Sequence, residues 1–220
     1  MNSTPYRDSQ GKSLFDYPRP SLAVDTAVLT VRQGELQIAL VEKNGSRRLP
    51  GTFVHQGETL KDAVHRSLEN KAGITGLVPK LLAVLDDPER DNRGWVVSVA
   101  HLIVVPADAL PDVQFTALSQ AGHLAFDHDH ILDLAVHTIQ QQYAEHPDPW
   151  RILGEEFTLA ELQDLHEIVN PNREKKDTFR RRMERQLVDT GQMSRGSVGK
   201  PARLFRHRPS EQTGAELPPS

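Results

Sequence analysis

Apolar positions change period along this chain, and the changes outline its elements. Residues 22–32 (LAVDTAVLTVR) and 36–44 (LQIALVEKN) are runs of apolar and β-branched residues flanking Gln33-Gly34-Glu35, which predicts a hairpin. Residues 46–53 predict a loop and a short strand. From about Glu58 to Ala72 the spacing becomes helical, with Leu60, Val64 and Leu68 at i, i+4 and i+8, and Gly73 closes the helix. KLLAVLDD and GWVVSVAHLIVV predict two further strands around the polar loop 88–94. Residues 125–145 predict a second amphipathic helix with Ile131, Leu132, Leu134, Ala135 and Ile139 facing inward. Mixed strands with a helix on each face make an α+β sandwich. Glu145-His146-Pro147-Asp148-Pro149 ends that pattern.

Beyond this break Thr158 reads as the N-cap of TLAELQDLHEIV, with Glu161 completing a capping box and Leu159, Leu162, Leu165 and Val169 as the apolar face. After Asn170-Pro171-Asn172 a second helix starts at Asp177, read over DTFRRRMERQLVDTG with Phe179, Met183 and Leu187 recurring every four. GQMSRGSVGKPARLFRHR then reads as two short strands around a glycine-containing turn. Helix, helix and β-wing is the order of a winged helix-turn-helix. The expected organisation is a flexible arm (1–20), a ligand-sensing α+β domain (21–147), a linker (148–156), a winged helix-turn-helix domain (157–208) and a disordered tail (209–220).

Composition adds a compartment and a charge asymmetry. The 220 residues are 37% hydrophobic and include no cysteine, which excludes disulfides and cysteine-bearing zinc sites. With no apolar leader and no run of membrane-spanning length, the chain reads as cytoplasmic, nucleoid-associated through DNA and without a membrane partner. Residues 171–208 hold 12 Lys and Arg against 4 Asp and Glu, net +8, which leaves 14 basic and 26 acidic residues, net −12, for the rest. A basic module on an acidic body is the electrostatic footprint of a nucleic-acid partner. On the second helix Thr178, Arg180, Arg181, Arg182 and Arg185 are the candidate contacts to double-stranded DNA, and on the wing Arg195, Lys200, Arg203 and Arg206. Gly196 and Gly199 allow a tight tip.

The first helix carries the second clue. Residues 51–74 read GTFVHQGETLKDAVHRSLENKAGI, over which the signature Gx5Ex7REUxEExGU (U aliphatic) lies without a gap. Glu58, Arg66, Leu68, Gly73 and Ile74 match, and Gly51 stands beside the first glycine position, which is Thr52. The stretch resembles the box of Nudix hydrolases, whose three REUxEE glutamates hold catalytic magnesium. Here those positions are Ser67, Asn70 and Lys71. Magnesium takes oxygen ligands and a lysine ammonium repels it, so no catalytic residue, metal site or required cofactor is expected. Glu58, Asp62 and Glu69 fall within roughly 40° of one another on the helix and could form a displaced metal site; the amphipathic pattern makes them a solvated face, with Arg66 paired to Asp62 and Glu69.

With the segment RDNRGWVVSVAH and the tail EEFTLAELQ…FRRRMERQLVDTG…GKPARLFR, the chain resembles the Nudix-related transcriptional regulator (NrtR) family over residues 20–208. The resemblance implies a Nudix sandwich followed by a small winged helix-turn-helix. It further implies a repressor of NAD-synthesis genes that binds operator DNA as a homodimer and is released by ADP-ribose or a related nucleotide. It makes Arg47, Arg48, Arg66, Lys71, Arg90, Arg93 and Trp95 candidate ligand contacts, with 150–156 as a hinge or docking surface. Asp127-His128-Asp129-His130 resembles the family's cleft-lining segment; a metal site there lacks an i, i+4 histidine pair, and Asp127 or Asp129 reads as an N-cap. The competing readings are an ADP-ribose pyrophosphatase with an irregular metal site, a pentose-sensing regulator of the same build, and an interaction module binding RNA or acidic partners.

Overall fold

The computed structural model describes residues 6–171, 174–194 and 201–209. The hairpin forms as its pattern predicts. Strand β1 (Ser21–Arg32) pairs antiparallel with β2 (Glu35–Ala39), and Gln33 and Gly34 both take positive φ, 52° and 78°, as the tight turn requires. Three short strands follow: β3 (Val41–Lys43), β4 (Ser46–Arg48) and β5 (Gly51–Phe53). Helix α1 (Leu60–Ala72) starts in a Thr59–Asp62 capping box and ends at Gly73 in the left-handed conformation, φ 65°. Beyond it lie β6 (Lys80–Leu85), β7 (Val96–Val105), β8 (Phe115–Ala117) and α2 (His128–Glu145).

These strands form a six-stranded mixed sheet in the order β6-β7-β1-β2-β8, with β5 also on β1 and the β1–β7 pair parallel. Alternation along β1 divides the core. Val24 and Val28 pack with Ile103 under α1 (Ala63, Val64, Leu68), while Ala27 and Leu29 pack with Leu102 and Val104 under α2 (Ile131, Ala135, Ile139, Tyr143). Burying each such aliphatic side chain contributes about 1.5–3 kcal/mol.

The C-terminal unit comprises β9 (Phe157–Thr158), α3 (Leu159–Val169), α4 (Lys176–Glu184), β10 (Leu187–Met193) and β11 (Arg203–His207), with a sheet ordered β10-β11-β9. Thr158 and Glu161 form the expected capping box. The second helix is shorter than its pattern. It begins at Lys176 and stops at Glu184, and Leu187 belongs to a strand. The every-four spacing survived because Leu187, the first residue of β10, drops into the same core as Phe179, Met183, Leu162, Phe157 and Phe205. Pairing of Val188 and Asp189 with β11 outweighs another helical turn. The wing tip, with Arg195, Gly196, Gly199 and Lys200, and the expected tail from Ser210 lie outside the described residues.

Two other segments are held by their own contacts. In the N-terminal arm, Asp8 accepts from the Gln10 and Lys12 amides and from Tyr17, and Ser13 caps a single 3-10 turn, Leu14–Asp16. Residues 148–156, expected as a linker with a hinge or docking surface, are packed down. Asp148 is buried and accepts from Tyr143 Oη (2.8 Å) and from the Ile152 and Leu153 amides (3.0 and 2.9 Å), while Trp150, Ile152 and Leu153 pack on the sheet core. Leu165 and Val169 of α3 enter that same core.

His166 sits at this junction. Its Nε2 donates to the Pro147 carbonyl (2.5 Å), and its ring lies edge-on to Tyr143 and Phe179. Burial pushes its pKa below the ordinary value, opposed by the Pro147 carbonyl. Burial does the same to His101. The unfolded chain therefore takes up these protons first. Stability is full above the unfolded value of about 6.5 and is lost as pH falls below it, by up to about 1.4 kcal/mol per pH unit for each group. The melting temperature is expected to drop on acidification across this range, and less steeply in His166→Asn; equal slopes would exclude His166 as a source.

Candidate functional site

A cavity of about 490 Å³ opens where the β3–β5 segment, the β6–β7 loop and the start of α2 converge over β1. Its floor is Asp25, the one carboxylate of β1 and only 6% exposed. Ser98 Oγ donates to it at 2.6 Å, His128 Nε2 lies 3.3 Å away and Arg90 Nη2 3.7 Å. Because His128 Nδ1 accepts the Leu49 amide (2.9 Å), its ring proton sits on Nε2 and points at Asp25. Burial alone would push the Asp25 carboxyl up; His128, Ser98 and Arg90 outweigh it and hold the group below its usual range. Gly51 of β5 is the pairing partner of Asp25 in the sheet. A Cβ there would stand 1.8 Å from Asp25 Oδ1, so any larger residue displaces the carboxylate or the strand.

The walls are cationic and aromatic. Arg90, with 4% of its side chain exposed, makes a bidentate pair with Asp127 (2.8 and 2.5 Å). Arg93 pairs with Asp91, and its guanidinium lies 4.5 Å from the Phe126 ring centroid and 5.2 Å from that of Phe53. That hydrogen bond from Arg93 holds the Asp91 carboxyl down and raises Arg93. The Arg48 guanidinium lies 5.3 Å from the same Phe126 ring centroid, and its Nε is buried without a partner. Phe126 has φ 59°, a conformation bulky residues rarely adopt, so the surroundings hold it there against about 1–3 kcal/mol of strain. Five cations (Lys43, Arg48, Lys71, Arg90, Arg93) face three carboxylates (Asp25, Glu42, Asp91) across the lining. Such a cavity suits an anion carrying a flat ring system.

Four of the seven expected ligand residues, Arg48, Lys71, Arg90 and Arg93, therefore meet in one cavity. The other three do not line it. Arg47 turns away to the Gln120 and Ala121 carbonyls. Trp95 is half exposed just before β7. Arg66 clamps Glu58 (2.6 and 2.8 Å) and the Phe53 carbonyl, not Asp62 or Glu69. Glu58 immediately precedes the helix, where the guanidinium can fold back onto it in two bonds, and that clamp takes the Glu58 carboxyl down to about 2. Asp25, Phe53 and Phe126 were missed, although a lone carboxylate at an inward strand position is a readable signal. Nor do Asp127 or Asp129 cap α2 through their side chains. Asp127 binds Arg90, and Asp129 accepts the Leu124 amide (2.9 Å) and pairs with His123.

The residues of the signature do not fit a divalent cation. Ser67 is buried with its Oγ unpartnered, Asn70 is exposed, and Lys71 Nζ donates to the Gly51 carbonyl. A dication about 4 Å from that ammonium would be repelled by roughly 8 kcal/mol even at an effective dielectric of about 20. The displaced acidic cluster does not assemble either. Asp62 is engaged with Thr59 and Glu58 with Arg66, and among the described residues no three His, Asp or Glu side chains converge as a metal site.

On the C-terminal unit the candidate DNA contacts divide by what already holds them. Arg182 donates to the Ala144 carbonyl, pairs with Glu174 (2.5 Å) and lies over Phe179. Arg203 bridges Glu184 and Asp189 (2.7 and 2.9 Å), and Arg180 shares Glu184 (3.1 Å). Thr178, Arg181, Arg185 and Arg206 are exposed. Among the described residues no helix is long and apolar enough to cross a membrane.

The model of the NrtR DNA-binding winged helix domain matches residues 149–207. The ADPR responsive transcriptional repressor NtrR of Acinetobacter baylyi is 33% identical over 208 residues, 87% of this chain and 83% of its own. The crystal structure of Shewanella oneidensis NrtR complexed with a 27mer DNA superimposes with a TM-score of 0.70 at 30% identity, covering 85% of this chain and 93% of that one. An ADP-ribose pyrophosphatase of Methanocaldococcus jannaschii is 32% identical over 127 residues, 53% of this chain and 73% of its own.

Proposed function

The chain belongs to the NrtR family of regulators, and from that premise we propose that it is a DNA-binding transcriptional repressor released from its operator by ADP-ribose. The observation that carries this reading is the physical link between its two sites. One helix, α2, begins in the cationic, aromatic cavity and ends against the helix of the basic unit. Arg48, Arg90 and Arg93 line the cavity and supply donors for a diphosphate. Phe126 and Phe53 supply ring faces for a base. Helix α4 with β10 and β11 forms the reading head, which we place in the major groove.

The protein acts as a regulator, and the ligand is bound without being hydrolysed, since Ser67, Asn70 and Lys71 replace the metal-holding carboxylates. Its operators are assigned to NAD-synthesis genes, read by a cytoplasmic homodimer whose two heads span half-sites about one helical turn apart. The likeness to a pyrophosphatase over half the chain favours a second reading, a magnesium-dependent ADP-ribose hydrolase. Gel shifts on the upstream regions of NAD-synthesis genes, titrated with ADP-ribose in chelator and with pentoses as controls, decide between them. Specific binding undone by ADP-ribose alone supports the repressor. Magnesium-dependent release of AMP, with DNA binding indifferent to ADP-ribose, would replace it by the hydrolase.

A further inference from the structure

We propose that the Lys71 ammonium is a tethered cation in the place of a divalent ion, so that the cavity takes a nucleotide diphosphate in its metal-free form. The inference rests on the nucleotide-sensing reading above and adds which cation meets the phosphates. Three observations converge on it. Lys71 occupies a metal-glutamate position of the signature, whose matching Glu58 and Arg66 are both present and paired. From the last turn of α1 its Nζ reaches the carbonyl of Gly51, 20 residues away in sequence and the sheet partner of Asp25. That carbonyl is an oxygen ligand a cation would use, and here an ammonium occupies it, with the Asp25 carboxylate close enough to favour its charge.

The surroundings fit a charge held ready for an anion. Burial lowers the proton affinity of Lys71, Asp25 opposes this, and Lys43, Arg48 and Arg66 reinforce it. A diphosphate entering the cavity reverses the penalty by giving the ammonium a counter-charge. The remaining lining offers no replacement ligand set for a metal. Asp91 is bound by Arg93, and among the described residues no three His, Asp or Glu side chains converge on a common point. A diphosphate that arrives already chelated to magnesium therefore brings a second cation to a place already filled.

The test is calorimetric titration of the full-length protein with ADP-ribose and, separately, with inorganic pyrophosphate, each in chelator and in millimolar magnesium. The wild type is expected to bind both probes in chelator and no more tightly in magnesium. Lys71→Met is expected to lose about tenfold or more in affinity, the scale of one charge-assisted hydrogen bond, and Lys71→Arg to keep most of it. Lys71→Glu is expected to bind poorly in chelator and to regain affinity when magnesium is added. Melting curves and operator binding establish that each variant is folded. A wild type that requires magnesium, or a folded Lys71→Met that binds pyrophosphate as tightly as the wild type, overturns the tethered cation. Metal-free pyrophosphate binding that needs Lys71, without ADP-ribose binding, keeps the tethered cation and overturns the nucleotide reading.

Discussion

Replacing Arg181 and Arg206 together by alanine is expected to weaken operator binding by about two orders of magnitude, with ADP-ribose affinity and melting temperature unchanged. The reason lies in how the basic residues are already engaged. Arg182 is held by the Ala144 carbonyl and Glu174, and Arg203 by Glu184 and Asp189, so either must exchange partners before it can touch DNA. Arg181 and Arg206 are exposed, and among the described residues neither side chain has a hydrogen-bond or ion-pair partner. At about 100° per residue Arg181 lies roughly 200° around α4 from the buried Phe179, on the face turned furthest from the core. Each lost phosphate or base contact costs about 1–3 kcal/mol, and two of them give about a hundredfold. The salt dependence sorts the contacts further, since each phosphate contact removed should flatten the slope of log affinity against log salt by about 0.9. A double variant that binds its operator like the wild type would remove α4 and β11 from the interface.

What the sequence discloses of this molecule is what short-range physics determines. The β1–β2 turn, the Thr158 cap and the Gly73 stop each depend on residues within four positions of one another, and each appears where its pattern places it. The errors come where a tertiary partner decides. Leu187 kept the helical spacing of Phe179 and Met183, but β11 draws it into a strand. Arg182 looked like one of a run of DNA-facing arginines until the end of α2 came to lie beside it. In the candidate site, the loss of carboxylates at positions 67, 70 and 71 is legible because it is an identity at a known spacing. The Asp25–His128 pair, 103 positions apart by number, and the fit of Gly51 beside Asp25 are not, because only the folded sheet brings them together. How the linker docks is hidden for a related reason. A Pro-Asp-Pro stretch reads as a break, yet its aspartate folds inward and fastens Tyr143 to the backbone that follows.

Cutting the far end of α2 is expected to abolish the response to ADP-ribose while sparing both binding sites. Helix α2 has 18 residues, about 27 Å at 1.5 Å per residue. Its first turn is in the cavity, where Asp127 holds Arg90 and His128 holds Asp25. A diphosphate competes with Asp127 for Arg90, so ligand binding acts directly on the start of the helix. At the other end the Ala144 and Glu145 carbonyls accept from Arg182 and Gln186 of the α4 region, and Gln140 Nε2 donates to the Val169 carbonyl of α3 (3.2 Å). A rigid rod fastened at both ends turns a local exchange of ion-pair partners into a displacement of the reading head. The variant Arg182→Met with Gln186→Ala loosens only the far fastening, and methionine keeps a stem over Phe179. In the wild type ADP-ribose should weaken operator binding by a coupling factor within the usual 5–150-fold range. In the variant that factor should fall below about threefold, the two separate affinities staying within a few-fold of wild type, because the Arg182 guanidinium is already engaged by the Ala144 carbonyl and Glu174. Linkage makes the measurement self-checking, since operator DNA must weaken ADP-ribose binding by the same factor in each protein. If the variant is released by ADP-ribose as fully as the wild type, the signal does not travel through the end of α2. The packed junction around Asp148 and His166 would then be the path to cut next.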